Sequence, residues 1–368
     1  MPDDKDATQS SAIMRSFLTM CICFSLNHAC VTTVLGLASS VLGETLSGNS
    51  SGTLYVFYTL TALCGATFVV GKLGTKGSLV AGCALYCFYV AIFIVIHLLG
   101  KGAPDSIKYP VALVGSAIGG IAAGFLWTAQ GGYFAVACDL LVVANNPAGS
   151  LTEEDLEAAK QAVSSQLASY FASIYLVGEV GLKLLATLVM SKVSDTASFM
   201  LFTAVALTSA LGMTTISNFA AIDINMLLLG AQPKTTEATL KPLESSTTDK
   251  LTRALALLAR SGKLWLLLPQ NAAFGFTSAF LNQYVNAEVV KPFLGKSNVP
   301  LIGAVASFSA AVSSLGFNLV TQHAASKVPV MLFGAACFIA FSTVFVVLEP
   351  ASLGQWRSSI RLQVTSVQ

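Results

Sequence analysis

Nine stretches of 18 to 29 residues carry almost no charge, and this feature narrows the folds open to the chain more than any other. About 20 apolar residues wound as a helix match the ~30 Å hydrocarbon core of a bilayer, where each backbone N–H and C=O must be satisfied inside the segment. The stretches are Phe17–Leu42, Leu54–Gly71, Ser78–Leu99, Pro110–Cys138, Gln166–Met190, Ala197–Ile216, Leu264–Val285, Val299–Val320 and Val328–Leu348. They predict an all-α, polytopic membrane protein with about nine transmembrane helices. Composition agrees: 54% of the 368 residues are apolar and 10% are Asp, Glu, Lys or Arg, against about 25% charged in a soluble domain. With 20 Lys+Arg against 18 Asp+Glu, no basic surface is left for nucleic acid, which is set aside as a partner. The lipid bilayer is the partner the composition demands.

The first sixteen residues are polar and lack a short apolar region followed by a small-residue cleavage site, so the first apolar stretch is expected to stay as a span. The expected organisation is a cytoplasmic tail over 1–16, a six-helix bundle over 17–216, a cytoplasmic linker over 217–263, a partial second bundle of three helices over 264–348 and a polar tail over 349–368. With the N-terminus inside, twelve Lys and Arg fall on the cytoplasmic side, seven outside and Lys183 within a span. That bias is the one expected of cytoplasmic loops. The Asn49-Ser50-Ser51 sequon then lies in an external or lumenal loop, making Asn49 the candidate glycosylation site. The membrane occupied is the plasma membrane or an endomembrane.

Two interruptions carry local signals. Asn145-Asn146-Pro147 is a helix breaker, and Ser150 to Glu153 has capping-box spacing, which predicts a short acidic helix leading into the fifth span. Residues 249–263, DKLTRALALLARSGK, place apolar residues at helical spacing beside Arg253 and Arg260, as a helix lying at the headgroup surface would. The eight cysteines sit in or beside apolar stretches and read as packing residues rather than a disulfide framework. Three histidines, none at ligand spacing from a cysteine pair, argue against a metal centre. No nucleophile–base–orienter trio or phosphate loop is apparent, so the expectation is a protein that is not an enzyme and needs no cofactor.

Six spans, a long inside linker and a new series is the layout of a transporter built from two parallel halves. Gly71–Gly82 (GKLGTKGSLVAG) and Thr321–Gly334 (TQHAASKVPVMLFG) would correspond, each placing a lysine, Lys76 or Lys327, just before the next span. Three passages carry a family resemblance: Gly115–Phe134 (GSAIGGIAAGFLWTAQGGYF), Phe274–Val290 (FGFTSAFLNQYVNAEVV) and Val328–Phe341 (VPVMLFGAACFIAF). Together they resemble the uncoordinated-93-like, ion channel regulatory branch of the major facilitator superfamily. The resemblance implies a major-facilitator-like fold of twelve helices, with members acting as potassium-channel regulatory subunits, receptor-trafficking chaperones or solute carriers. The chain departs from that pattern after Leu348, where EPASLGQWRSSIRLQVTSVQ stands in place of a tenth span. The two readings are a truncated or misjoined product and a short isoform with an incomplete C-terminal bundle.

Eight of the nine stretches contain no Asp, Glu, Lys or Arg. The fifth holds Glu179 and Lys183, four apart with Glu first, so they share a helix face and neutralise one another. A lone charge at mid-helix costs about 2.5–3.5 kcal/mol on insertion scales, so such a pair faces protein or water. Either it is a site, or it is a self-satisfied pair that orients the helix. The facilitator resemblance implies that spans one, four and seven line a central pathway. That adds Asn27 and His28, then Trp127, Gln130 and Tyr133, and Gln270, Asn271, Asn282 and Gln283 as candidate substrate-binding residues, with interhelical hydrogen bonding as the competing role. His28 can exchange a proton near neutral pH. The functions left open are a carrier for a small solute or ion, a non-transporting regulatory or trafficking subunit for an ion channel or receptor, and, least supported, a pore.

Overall fold

A computed structural model describes residues 4–100, 102–146, 151–219, 252, 256, 259–323 and 328–347. Secondary structure among them is helical throughout. The helices are α1 (Asp4–Leu42), α2 (Glu44–Leu60), α3 (Ala66–Leu99), α4 (Asp105–Asn145), α5 (Glu153–Lys192), α6 (Asp195–Met213), α7 (Gly262–Ala279), α8 (Lys291–Leu294), α9 (Val299–His323) and α10 (Val328–Val347). A wider π-helical turn, Thr61–Gly65, joins α2 to α3, and a second, Phe280–Val290, continues α7.

Five helical stretches among the described residues are long and apolar enough to cross a membrane: Gln9–Leu42, Glu44–Leu99, Asp105–Asn145, Glu153–Lys192 and Asp195–Met213. This points to a multi-pass membrane protein and corrects the expected count of nine. Part of the difference has a clear cause. The second and third expected spans are one continuous helical stretch of 56 residues, which would be about 84 Å long if straight. It is broken at Gly74, where φ is 71°, a conformation open to glycine at little steric cost. Both arms lie against α4. The three C-terminal apolar stretches are also helical, as α7, α9 and α10, but are not among the five.

Expected connections prove to be helix as well. Residues 44–53 open α2, so Asn49 stands exposed on a helix rather than in a loop. Ser50 and Ser51 are buried beside it, and the Ser50 and Ser116 hydroxyls bond at 2.6 Å. At the start of α5 the cap lies two residues later than the spacing predicts: Thr152 Oγ1 accepts the Asp155 N–H at 3.2 Å, and no separate short helix precedes it among the described residues. Residues 220–251, with most of the expected linker, the Lys327 position and the tail over 349–368 fall outside the described residues.

The core lies between α1, α3, α4 and α6, where Phe17, Phe24, Leu79, Leu126, Phe199 and Phe202 are fully buried. Close approach of α4 to α2 depends on two glycines. A Cβ on Gly120 would meet Phe57 Cβ at 2.9 Å, and one on Gly124 would meet Thr61 Cβ at 2.6 Å, the small-residue packing that lets helices associate in lipid. All eight cysteines are free, and all but Cys64 and Cys337 are buried. Large apolar side chains such as Val177, Leu188, Leu211 and Leu268 point outward. An aqueous surface rarely carries so much exposed apolar area, whereas a hydrocarbon-facing one does.

Candidate functional site

The only charges in the fifth expected span meet groups from two other helices, α1 and α9. Lys183 and Glu179 lie one turn apart on α5, and their ion pair closes at 2.6 Å between Nζ and Oε2. The Glu179 side chain is 5% exposed and that of Lys183 14%, so the surrounding protein excludes most of the water that would otherwise screen them. From α1, His28 Nδ1 lies 3.1 Å from Oε1. A carboxylate oxygen only accepts, so this contact is a hydrogen bond when Nδ1 carries the ring proton. Thr32, one turn after His28, donates its hydroxyl to both carboxylate oxygens, at 3.0 and 2.9 Å. Both Glu179 oxygens are thus hydrogen-bonded, as burial of a carboxylate requires.

Aromatic rings hold this group on the other side of His28. The imidazole stacks on Phe24 with ring centroids 6.0 Å apart and meets Trp127 edge-on at 5.3 Å. Tyr86 from α3 and Tyr175 from α5 close around it, with centroids at 6.1 and 5.4 Å. The Tyr175 hydroxyl lies 2.9 Å from Nδ1, and Phe171 stacks on Tyr175 at 5.8 Å. The α1–α5 crossing that brings these rings together is pinned by Ser25, whose hydroxyl bonds the carbonyls of Ile174 and Tyr175 at 3.1 and 3.2 Å.

The centre also reaches the C-terminal helices. Lys183 Nζ donates to Ser307 Oγ on α9 at 3.1 Å, and the lysine stem passes Gly303 one turn earlier, 3.4 Å from where a Cβ would stand. One ammonium therefore bonds to its own helix and to a helix of the other half of the chain.

Of the sequence candidates, the structure brings His28, Trp127, Glu179 and Lys183 together. Asn27 points elsewhere: its amide nitrogen donates to Ala206 O on α6 at 2.9 Å and Cys83 O on α3 at 3.3 Å. Neighbouring helical residues diverge by about 100°, so His28 and Asn27 face different partners. Tyr133 is also structural. Its hydroxyl donates to Ser217 O at 3.0 Å and meets Ser16 Oγ at 2.8 Å, while Ser217 N–H donates back to Ser16 Oγ at 2.6 Å. Ser16 lies twelve residues before His28 on α1, about 18 Å away along the axis. Gln130 is buried one turn from Trp127 but makes none of the Glu179 bonds.

Asn282 bonds within its own helix to Ser278 O at 2.9 Å, and its oxygen faces Gly36. Gln283 accepts from Ser47 Oγ at 2.8 Å and donates to Ser51 Oγ at 2.5 Å on α2. The side chains of Gln270 and Asn271 fall outside the described residues. Sequence reasoning missed Thr32, Tyr175 and Ser307. The first two carried a readable signal, standing four residues from His28 and Glu179 on the same helix faces. Ser307 carried none.

Comparison with protein-family models finds no match for this chain, and comparison with curated proteins finds none.

Proposed function

We propose that the chain is a facilitator-type membrane protein in which the Glu179–Lys183–His28 centre lies on the path of a small solute or ion, as a carrier related to the uncoordinated-93-like, potassium-channel regulatory branch. The observation that supports this most is the Lys183–Ser307 bond beside the buried Glu179 pair. A pair that served only to orient α5 would need nothing beyond its own helix, whereas this one joins α5 to α1 and to a C-terminal helix. Ionisable groups at membrane depth are costly, and those that persist mark pathways and relays. Widened helical turns on the elements around a central site, like Phe280–Val290 against α1 and α2, recur in carriers.

A second reading is a non-transporting regulatory or trafficking subunit for a channel or receptor. It is favoured by the stretch Gly71–Gly77, which lacks the acidic–Arg pairing common in facilitator carriers. Reconstituting the full chain in proteoliposomes with a rubidium tracer and an enclosed pH dye separates the two. A carrier gives saturable flux that Glu179→Gln lowers about tenfold or more, the loss of at least ~1.4 kcal/mol. No flux for either tracer, together with co-purification of a channel subunit, identifies the regulator.

A further inference from the structure

The hydrogen-bonding capacity of the Glu179 centre is spent unevenly between acceptors and donors. A carboxylate offers about four lone-pair positions, and the Glu179 carboxylate meets four close contacts. Oε1 takes His28 Nδ1 at 3.1 Å and Thr32 Oγ1 at 3.0 Å, while Oε2 takes Thr32 Oγ1 at 2.9 Å and Lys183 Nζ at 2.6 Å. An arriving cation finds no open carboxylate oxygen and would have to displace a group tethered to the chain. The place of a cation is already filled by Lys183, whose alkyl stem passes Gly303 on the way to Glu179.

Donors are left over. Lys183 has three N–H groups and spends two of them, on Glu179 and on Ser307 Oγ at 3.1 Å. The indole N–H of Trp127 has no hydrogen-bond partner among the described residues, nor has the Gln130 amide one turn further along α4. Access follows the same division. Side-chain exposure is 14% at Lys183 and 13% at His28, against 5% at Glu179, and Trp127 is only partly buried. A guest therefore meets donors before it meets the acid, and an acceptor with negative charge bonds them most strongly.

Charge balance selects the same class. With a neutral His28 ring, Glu179 and Lys183 cancel, so a guest anion adds one negative charge that needs a partner when it leaves water. His28 Nε2 has no partner among the described residues, and a proton there makes the ring a cation. The ring is faced by Glu179 and Tyr175 from α5, Tyr86 from α3, Trp127 from α4 and Phe24 from its own helix. One carboxylate and four aromatic rings favour imidazolium; Lys183, across the same carboxylate, is the like charge that opposes it. The same rings offer apolar surface to the body of the guest.

From this we infer that the solute of the Glu179 centre is a small organic carboxylate with an apolar body, its oxygens on the spare donors of Lys183 and Trp127 and its charge matched by protonated His28. The inference rests on the reading of this centre as a solute site and names the solute.

The test measures equilibrium binding of radiolabelled benzoate to the purified full chain in detergent by scintillation proximity, with unlabelled chloride, rubidium and tetraethylammonium as competitors. Saturable binding is expected that none of the three displaces and that is about tenfold tighter at about pH 6 than at about pH 8, a dependence that His28→Gln flattens. Glu179→Gln with Lys183→Met, which keeps the site neutral, is expected to weaken binding about tenfold, a loss of ~1.4 kcal/mol. Trp127→Phe keeps the ring, removes the N–H and gives a smaller loss in the same direction, and it serves if the double variant does not fold. Absence of saturable benzoate binding overturns the inference, as does displacement by rubidium or tetraethylammonium, which marks a cation site, or by chloride, which marks an inorganic anion. Parental binding in correctly folded variants overturns it as well. Benzoate binding as described, with no protein-dependent benzoate flux into proteoliposomes, leaves the carboxylate site standing and removes the carrier reading; rubidium flux without benzoate binding does the reverse.

Discussion

The Lys183 ammonium sits 2.6 Å from Glu179 on its own helix and is shared with a hydroxyl of α9. Buried pairs of this kind are asymmetric in their energetics. Removing one partner strands the other, while removing both leaves a neutral, packable site. Glu179→Gln or Lys183→Met alone is therefore expected to destabilise the protein by about 3 kcal/mol, with the double variant within ~1 kcal/mol of the parent. Thermal unfolding in detergent, compared across the four proteins as a double-mutant cycle, measures the coupling directly.

Tyr133 provides the contrast. Its ring of three hydrogen bonds with Ser16 and Ser217 ties the start of α1 to the end of α6. Tyr133→Phe is expected to cost about 1–3 kcal/mol through the stranded Ser217 carbonyl, with flux unchanged at equal abundance. Loss of flux without loss of stability would return Tyr133 to the pathway.

At the α2–α4 contact, Gly124→Leu is expected to abolish the folded peak in size-exclusion chromatography, because even a Cβ collides with Thr61. Gly131, seven residues on, is the matched control, since nothing lies within 4 Å of where its Cβ would stand. Gly131→Ala should fold as well as the parent and gain up to about 1 kcal/mol from helix propensity.

Outside the expected membrane core, Thr152→Ala removes the α5 cap and should cost about 1 kcal/mol, read as faster amide exchange at Asp155 and its neighbours. Thr152→Ser keeps the acceptor and should restore protection.

Asn49 is exposed on α2, while Ser51 of the same sequon is bonded to Gln283. Modification is expected on the chain before the C-terminal helices dock. A glycosidase-sensitive mobility shift, lost in Asn49→Gln, would place this end of the molecule on the external or lumenal side. Reaction of Asn49→Cys with an impermeant thiol reagent only from the cytosolic face would reverse the orientation.

The sequence makes some of this legible and hides the rest for physical reasons. Leu42, Leu99 and Val299 are helix boundaries in sequence and structure alike, because a stop in apolar composition or a glycine marks them. Residues 44–53 look like a loop from their Ser, Gly and Thr content. They are helix because Ser47, Ser50 and Ser51 find partners inside the bundle, which composition cannot reveal. At the site, spacing alone pairs Glu179 with Lys183, and one turn of the same reasoning adds Tyr175. Asn27 lies within an apolar helix as expected but at a different azimuth, and Tyr133 and Asn282 at a different depth, which tertiary contacts set and a single sequence does not. Ser307 belongs to the same case: only the docking of α9 brings it to Lys183.

Flux through the Glu179→Gln, Lys183→Met double variant separates a working centre from a self-satisfied pair. The double variant is expected to fold like the parent and to lose saturable flux. Parental flux from that neutral, correctly folded variant would contradict a working centre.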